Sequence, residues 1–172
     1  HTSGRNTGVV HTPFYLDPEK KKIFAKSAYL SRNLWKTLAI QTQSPWMEIG
    51  TIEVAIDELQ HKTLEKYQKW GIENGVNEDS LLILDASGLK QNEKNLECYS
   101  GLFCKNDVST DYSKLTQEIK NISTQNSTEF IFQKTVKSFQ HKNDSIQINF
   151  TDNSSIECKY LINCSGGNSL DI

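Results

Sequence analysis

The chain has 172 residues, 19 of them basic and 21 acidic, for a net charge of −2. That balance lacks the one-sided Lys and Arg excess that a phosphate backbone demands, so no nucleic-acid partner is expected. Leu, Ile, Val and Phe make up 43 residues, a quarter of the chain, which lies above the roughly 20% level of disordered sequences and predicts a packed fold with a thin core.

No apolar run approaches the roughly 20 residues of a membrane span, and no signal peptide opens the chain. The four cysteines, Cys98, Cys104, Cys158 and Cys164, match no zinc spacing, so no metal site is expected and the thiols read as free and intracellular. The Asn-x-Ser/Thr sequons, among them Asn121, Asn126, Asn149, Asn153 and Asn163, read as Asn- and Ser-rich composition rather than as glycosylation sites. The chain begins at His1 and its only methionine is Met47, which points to an internal piece of a longer polypeptide.

In chain order, Thr2 to Tyr15 forms a Gly- and Ser/Thr-containing lead-in that ends in a short apolar run. Asp17-Pro18 then reads as N-cap and first helical position. Ile23, Leu30, Leu34 and Leu38, flanked by Phe24, Ala28, Trp35 and Ala39, predict a helix over 18–42 with a broad apolar face. Residues 47–56 read as a strand with Gly50 as a bulge or close approach. Asp57 with Gln60 resembles a capping box, and Asn74-Gly75 stops the helix it opens.

A strand over 81–84, a small helix or loop over 86–95 and a strand over 97–104 follow. Asp111 caps a helix carrying Tyr112, Leu115, Ile119 and Ile122 at helical spacing. The period then changes to two: Phe130, Phe132 and Val136, then Ile146, Ile148 and Phe150, alternate with polar residues. Lys142-Asn143-Asp144 and Asp152-Asn153-Ser154 supply the turns of a β-meander. This helix and the meander are expected to form one packed unit, with Leu115, Ile119, Ile146 and Ile148 buried together. A last strand over 160–163 runs into Cys164-Ser165-Gly166-Gly167.

Two stretches could carry chemistry. Ser3, Arg5, Asn6, Thr7, Gly8 and His11 lie close together, and a glycine among hydroxyl and amide side chains lets backbone N–H groups approach an anion or a planar cofactor. Spacing alone favours an ordinary polar loop there. At 163–167 the small residues suit either close approach to a phosphate or a plain turn, and spacing leaves the two balanced.

The residues resemble a known family. Ser3-Gly4-Arg5-Asn6-Thr7-Gly8-Val9-Val10-His11-Thr12-Pro13-Phe14-Tyr15 is similar to the Ser-x-Arg-Asn-Ser-Gly-Val-Val/Ile-His-Ala-Gly-x-Tyr segment of FAD-dependent oxidoreductases of the D-amino-acid oxidase superfamily. Among them it is nearest to the L-2-hydroxyglutarate oxidase/dehydrogenase group. Glu93-Lys94-Asn95-Leu96 resembles a Glu-Pro-x-Leu passage. Gly101-Leu102-Phe103 through Asp111 resembles an Ala-Leu…Pro…Val-Asp passage, and Leu161-Ile162-Asn163-Cys164-Ser165-Gly166 a Val-Ile-Asn-Ala-Ala-Gly strand end. The order of these segments is kept along the whole chain.

The resemblance implies an α+β fold. A mixed sheet with helices would belong to a substrate domain, a helix and β-meander to an FAD-binding domain, and the N-terminal Rossmann unit with its Gly-x-Gly-x-x-Gly would be absent. It implies a flavin-lining segment over 1–16, part of a substrate-binding domain over 17–108 and part of an FAD-binding domain over 109–172. FAD is the implied cofactor. The implied reaction, carried out by the complete enzyme of which this chain is a fragment inactive alone, is oxidation of a small 2-hydroxy acid, 2-hydroxyglutarate-like, by hydride transfer to the flavin.

By the same resemblance Ser3, Arg5, Asn6, Thr7 and Gly8 face the flavin and its phosphates. The backbone of Val136 meets the adenine, and Ser165 and Gly166 border the pyrophosphate. Tyr15 borders the substrate, and His11 is either the catalytic base or a flavin contact. Lys94, Thr51 and Pro13 depart from the family's usual Pro, Lys and Gly, which bears on the substrate more than on the fold. A related FAD amine or glycerol-3-phosphate oxidoreductase and a non-catalytic α+β binding module are the alternatives. A cytoplasmic enzyme, or one peripheral at a membrane, is expected, with electron acceptor and oligomeric state open.

Overall fold

The computed structural model describes residues 4–168. The chain divides into two compact units, His1–Ser123 and Thr124–Ile172.

The first unit holds two small sheets. Strands β1 (Val9–Val10), β2 (Trp46–Met47) and β6 (Val108–Thr110) form one, in the order β1-β6-β2; β3 (Thr51–Ala55), β4 (Leu81–Asp85) and β5 (Ser100–Cys104) form the other, in the order β3-β5-β4. Every pairing among the described residues is antiparallel, which corrects the expected mixed sheet.

The predicted strand over 47–56 is split at Gly50 into β2 and β3. Gly50 has φ +74°, and a Cβ there would lie 2.6 Å from the Phe103 ring and 2.9 Å from the Cys104 carbonyl oxygen, so only glycine fits. Residues 105–107 make the parallel break between β5 and β6. The two crossings are tied together by the Gly50 N–H, which donates to the Asp107 carbonyl at 3.0 Å.

Helix α2 (Glu58–Glu73) packs on the β3-β5-β4 sheet. Asp57 accepts from the Gln60 N–H at 2.8 Å, as its capping role requires, while Gln60 Oε1 reaches back to the Ile56 N–H at 3.1 Å. Gly75, with φ +90°, ends the helix. Leu64 from α2 joins Phe14, Ala55, Val76, Leu81, Leu102 and Cys104 in the core. The short helix α3 (Ala86–Leu89) lays its fully buried Leu89 against Gly101. Adjacent residues of a strand face opposite ways, so α3 and α2 cover the two faces of β5.

Helix α1 (Lys22–Gln41) starts four residues later than predicted. Asp17 caps the turn that precedes it, accepting from the N–H groups of Glu19 and Lys20. The expected apolar face is a correction: Ile23 is 80% and Leu34 72% exposed, whereas Ala25 and Ala39 are buried. Small side chains bring the α1 backbone close to its neighbours on the opposite stripe. Helix α4 (Tyr112–Gln125) is capped by Asp111, which accepts from the Lys114 N–H at 3.0 Å. Its Leu115 is fully buried, but Ile119 is 41% exposed, and all of α4 up to Ser123 falls in the first unit while the meander falls in the second, which corrects the expected single packed unit.

The second unit is the predicted meander: β7 (Val136–His141), β8 (Ile146–Phe150) and β9 (Ser155–Cys158), with β8 central and an irregularity between Val136 and Ser138. Ile148 and Phe150 are buried and Ile146 half-buried. Phe130 and Phe132 lie before the strand and stack ring on ring at 6.1 Å. Residues 160–163, expected as a strand, pair with no described strand.

Candidate functional site

The ladder between β1 and β6 builds the site. Val9 pairs with Ser109 and Val10 with Val108, so the next residue beyond the ladder on one side, His11, is set opposite the next on the other, Asp107. Their side chains meet: His11 Nδ1 lies 2.7 Å from Asp107 Oδ2. Asp107 is fully buried and the His11 side chain is 38% exposed, so the imidazole stands between a buried anion and solvent.

The buried carboxylate is fully engaged. Oδ2 also accepts from Thr51 Oγ1 at 2.7 Å. Oδ1 accepts from the Thr12 N–H at 2.7 Å and from Thr12 Oγ1 at 2.9 Å. The Cys104 thiol lies 2.9 Å from Thr12 Oγ1 and 3.4 Å from Oδ1. Burial pushes the Asp107 carboxyl up, but the hydrogen bonds from His11, Thr12 and Thr51 outweigh it and hold the group below the usual carboxylate range. The Asp107 hydrogen bond raises His11 against the opposing effect of burial, and the charges of Asp107 and Glu53 add to the rise. Burial, aided by the charge of Asp107, pushes the Cys104 thiol up to about 11, so it stays protonated at neutral pH.

Tyr15 sits edge-on to the His11 ring, centroids 5.8 Å apart, and to Phe14 at 5.1 Å. Burial raises its phenol, with the charge of Asp107 adding to the effect. The structure therefore brings the predicted His11 and Tyr15 together. Arg5, Asn6 and Thr7 lie exposed in the loop that leads into β1. Asn6 Oδ1 accepts from the Gly8 N–H at 2.9 Å, and the Gly8 carbonyl accepts from the Thr110 N–H at 2.7 Å. Gly8 has φ +74°, and a Cβ there would stand 2.9 Å from the Thr110 carbonyl oxygen. Ser3 lies outside the described residues.

In the second unit Val136 and Ser165 line one cavity of about 440 Å³, together with Phe139, Ile148, Leu161 and Asn163. Its walls are mostly apolar with a few polar groups among them, a pattern common to ligand sites. Gly166 has φ +67°, and a Cβ on it or on Gly167 would meet nothing within 4 Å. The turn is therefore open on its outer side. Within this unit, the apolar slot and the open glycine-bearing turn leave room for a flat ring and an anion, the two kinds of group a dinucleotide presents. Among the described residues no group of three His, Cys, Asp or Glu side chains is arranged to hold a metal ion. No described helix is long and apolar enough to cross a membrane.

Sequence reasoning missed Asp107, and it noted Thr51 only as a departure and Thr12 only as part of the Ser3–Tyr15 segment. The pair His11–Asp107 gives a pH signature. His11 is raised above 6.5, so its contribution to stability is whole below 6.5 and fades as pH rises through the folded value. Asp107 is lowered below 3.8, so its contribution is whole above 3.8 and fades as pH falls through the folded value. The thermal-unfolding gap between wild type and Asp107→Asn is therefore expected to be larger at pH 5 than at pH 9.

Comparison with known proteins gives one family. The sequence model described as FAD dependent oxidoreductase (DAO) matches residues 1–172. An L-2-hydroxyglutarate dehydrogenase of Escherichia coli (strain UMN026) is 24% identical over 166 residues, covering 96% of this chain and 38% of that protein. A glycerol 3-phosphate oxidase of Mycoplasma pneumoniae is 26% identical over 171 residues, covering 96% of this chain and 44% of its own length. Among solved structures, dithionite-reduced L-alpha-glycerophosphate oxidase from Mycoplasma pneumoniae with FAD bound superimposes with a TM-score of 0.72 at 20% identity, covering 88% of this chain and 40% of that one. The chain thus spans about two fifths of the length of these relatives.

Proposed function

We infer the activity from one premise: the chain belongs to the DAO family of FAD dependent oxidoreductases. On that premise the whole protein to which this chain contributes oxidises the CH–OH carbon of a small 2-hydroxy acid, 2-hydroxyglutarate-like. Bound FAD supplies the two-electron acceptor. The observation that carries the reading is the half-exposed His11, backed by a buried carboxylate. An alcohol carbon releases hydride only as its hydroxyl proton leaves, so the reaction needs a base beside the substrate. An amine carries its own lone pair and, once neutral, does not. His11 takes the hydroxyl proton, and Tyr15, whose ring meets the His11 ring edge-on, borders the substrate.

The remaining assignments belong to the same proposal. Ser3, Arg5, Asn6, Thr7 and Gly8 hold the flavin and its phosphates, Val136 the adenine, and Ser165 and Gly166 the pyrophosphate. Residues 1–16 line the flavin, 17–108 are part of the substrate-binding domain and 109–172 part of the FAD-binding domain. Support comes from the shared cavity of Val136 and Ser165 and from the open turn at Gly166. The match to a glycerol 3-phosphate oxidase favours glycerol 3-phosphate as the second reading.

The whole FAD-loaded protein to which this chain belongs, mixed without oxygen with L-2-hydroxyglutarate, other 2-hydroxy acids, glycerol 3-phosphate or an amino acid, is expected to lose its oxidised-flavin absorbance with a 2-hydroxy acid. Bleaching by glycerol 3-phosphate alone moves the assignment to the second reading. Bleaching by the amino acid alone overturns CH–OH oxidation altogether.

A further inference from the structure

The carboxylate behind His11 was not visible in the sequence, and its geometry is more specific than a structural contact requires. We propose that Asp107 is a positioning residue: it holds the His11 ring with the proton on Nδ1, leaving Nε2 as the atom that receives the substrate's hydroxyl proton. The proposal rests on the reading of His11 as the base and names how that base is set.

An ionised carboxylate only accepts hydrogen bonds, so the 2.7 Å contact to Oδ2 requires that Nδ1 carry a hydrogen. In the neutral ring the lone pair then lies on Nε2. Nothing about Asp107 is free to readjust. Its backbone carbonyl takes the Gly50 N–H, Oδ1 takes two donors from Thr12, and Oδ2 divides between His11 and Thr51. The groups facing this arrangement are few: Tyr15 at the edge of the imidazole, Cys104 beneath Thr12 and the charge of Glu53. The Cys104 thiol is protonated at working pH and Tyr15 is neutral, so Asp107 is the carboxylate in hydrogen-bond contact with the ring. Buried and ionised, it also favours the imidazolium that forms when the proton arrives.

Three variants separate the possibilities. In the FAD-loaded enzyme, Asp107→Asn is expected to lower kcat by about 10²–10⁴-fold with FAD content and KM near wild type. The acid limb of its pH–rate profile should move to lower pH. Ring ¹⁵N shifts of His11, read by NMR without substrate, should lose the pure Nδ1–H pattern. Wild-type kcat, acid limb and ring shifts in that variant would overturn the proposal.

If Asp107→Asn fails to fold or loses FAD, Thr51→Val decides. Removing one of the two donors on Oδ2 makes that oxygen lean harder on His11, so the acid limb should move to higher pH. A limb that stays in place or moves down overturns the role of Asp107. His11→Asn distinguishes the underlying reading: unchanged kcat there means that His11 is not the base, whatever tautomer Asp107 enforces.

Discussion

His11→Asn is expected to lower kcat by about 10²–10⁴-fold while FAD content stays at the wild-type level. The asparagine amide is close in size to the proximal half of the imidazole and can still donate to Asp107 Oδ2, so the buried carboxylate keeps a partner and the fold is spared. It has no titrating nitrogen to accept the hydroxyl proton. In wild type His11 must be neutral to act, and Asp107 raises it above the ordinary 6.5. Activity should therefore fall as pH drops through a value above 6.5, and that limb should vanish in the variant. Loss of flavin together with activity would make His11 a structural or cofactor-holding residue. A variant with wild-type kcat would remove it from the chemistry.

The second large effect lies in the core beneath the site. Leu81 is fully buried among Phe14, Leu64 and Leu102, and Leu81→Ala is expected to cost about 2–5 kcal/mol in chemical denaturation. Gly71, facing it from α2, has no room for a side chain. A Cβ there would lie 2.5 Å from Leu81 Cδ1, 2.9 Å from Phe14 Cβ and 3.1 Å from Phe14 Cα. Gly71→Ala gains helix propensity of about 1 kcal/mol but overpacks at a cost of about 1–3 kcal/mol, with the Phe14 backbone unable to yield. The double variant should be less destabilised than the sum of the singles, because the added methyl enters space that Leu81 has left. Full additivity would mean that the two residues do not share this volume.

Local signals told most about the elements. The caps at Asp57 and Asp111, the stop at Gly75 and the alternation through Ile146, Ile148 and Phe150 act within a few residues, and the structure follows them. The stripe Ile23-Leu30-Leu34 told which residues share a face of α1 but not whether another element covers it, and that face is exposed. Likewise, the apolar run at 160–162 carries no information about a partner strand.

The site divides in the same way. His11 and Tyr15 were legible from the motif around them. Asp107 was not, because after Lys105-Asn106 it reads as an ordinary turn residue. Its meaning arises only from the register of a ladder that joins it to a residue 96 positions away.

That ladder has a kinetic consequence. Two register pairs, Val9↔Ser109 and Val10↔Val108, close the span between β1 and β6, and closing so long a span costs chain entropy before any bond repays it. So short a strand opens by itself, whereas β5, central in its sheet and buried on both faces, opens only with the whole unit. When β1 lifts, His11 and Thr12 leave with it. Asp107 stays, anchored through its carbonyl to Gly50 and through Oδ2 to Thr51. The site therefore comes undone at the seam between His11 and Asp107, and wetting of that carboxylate precedes the melting of the core.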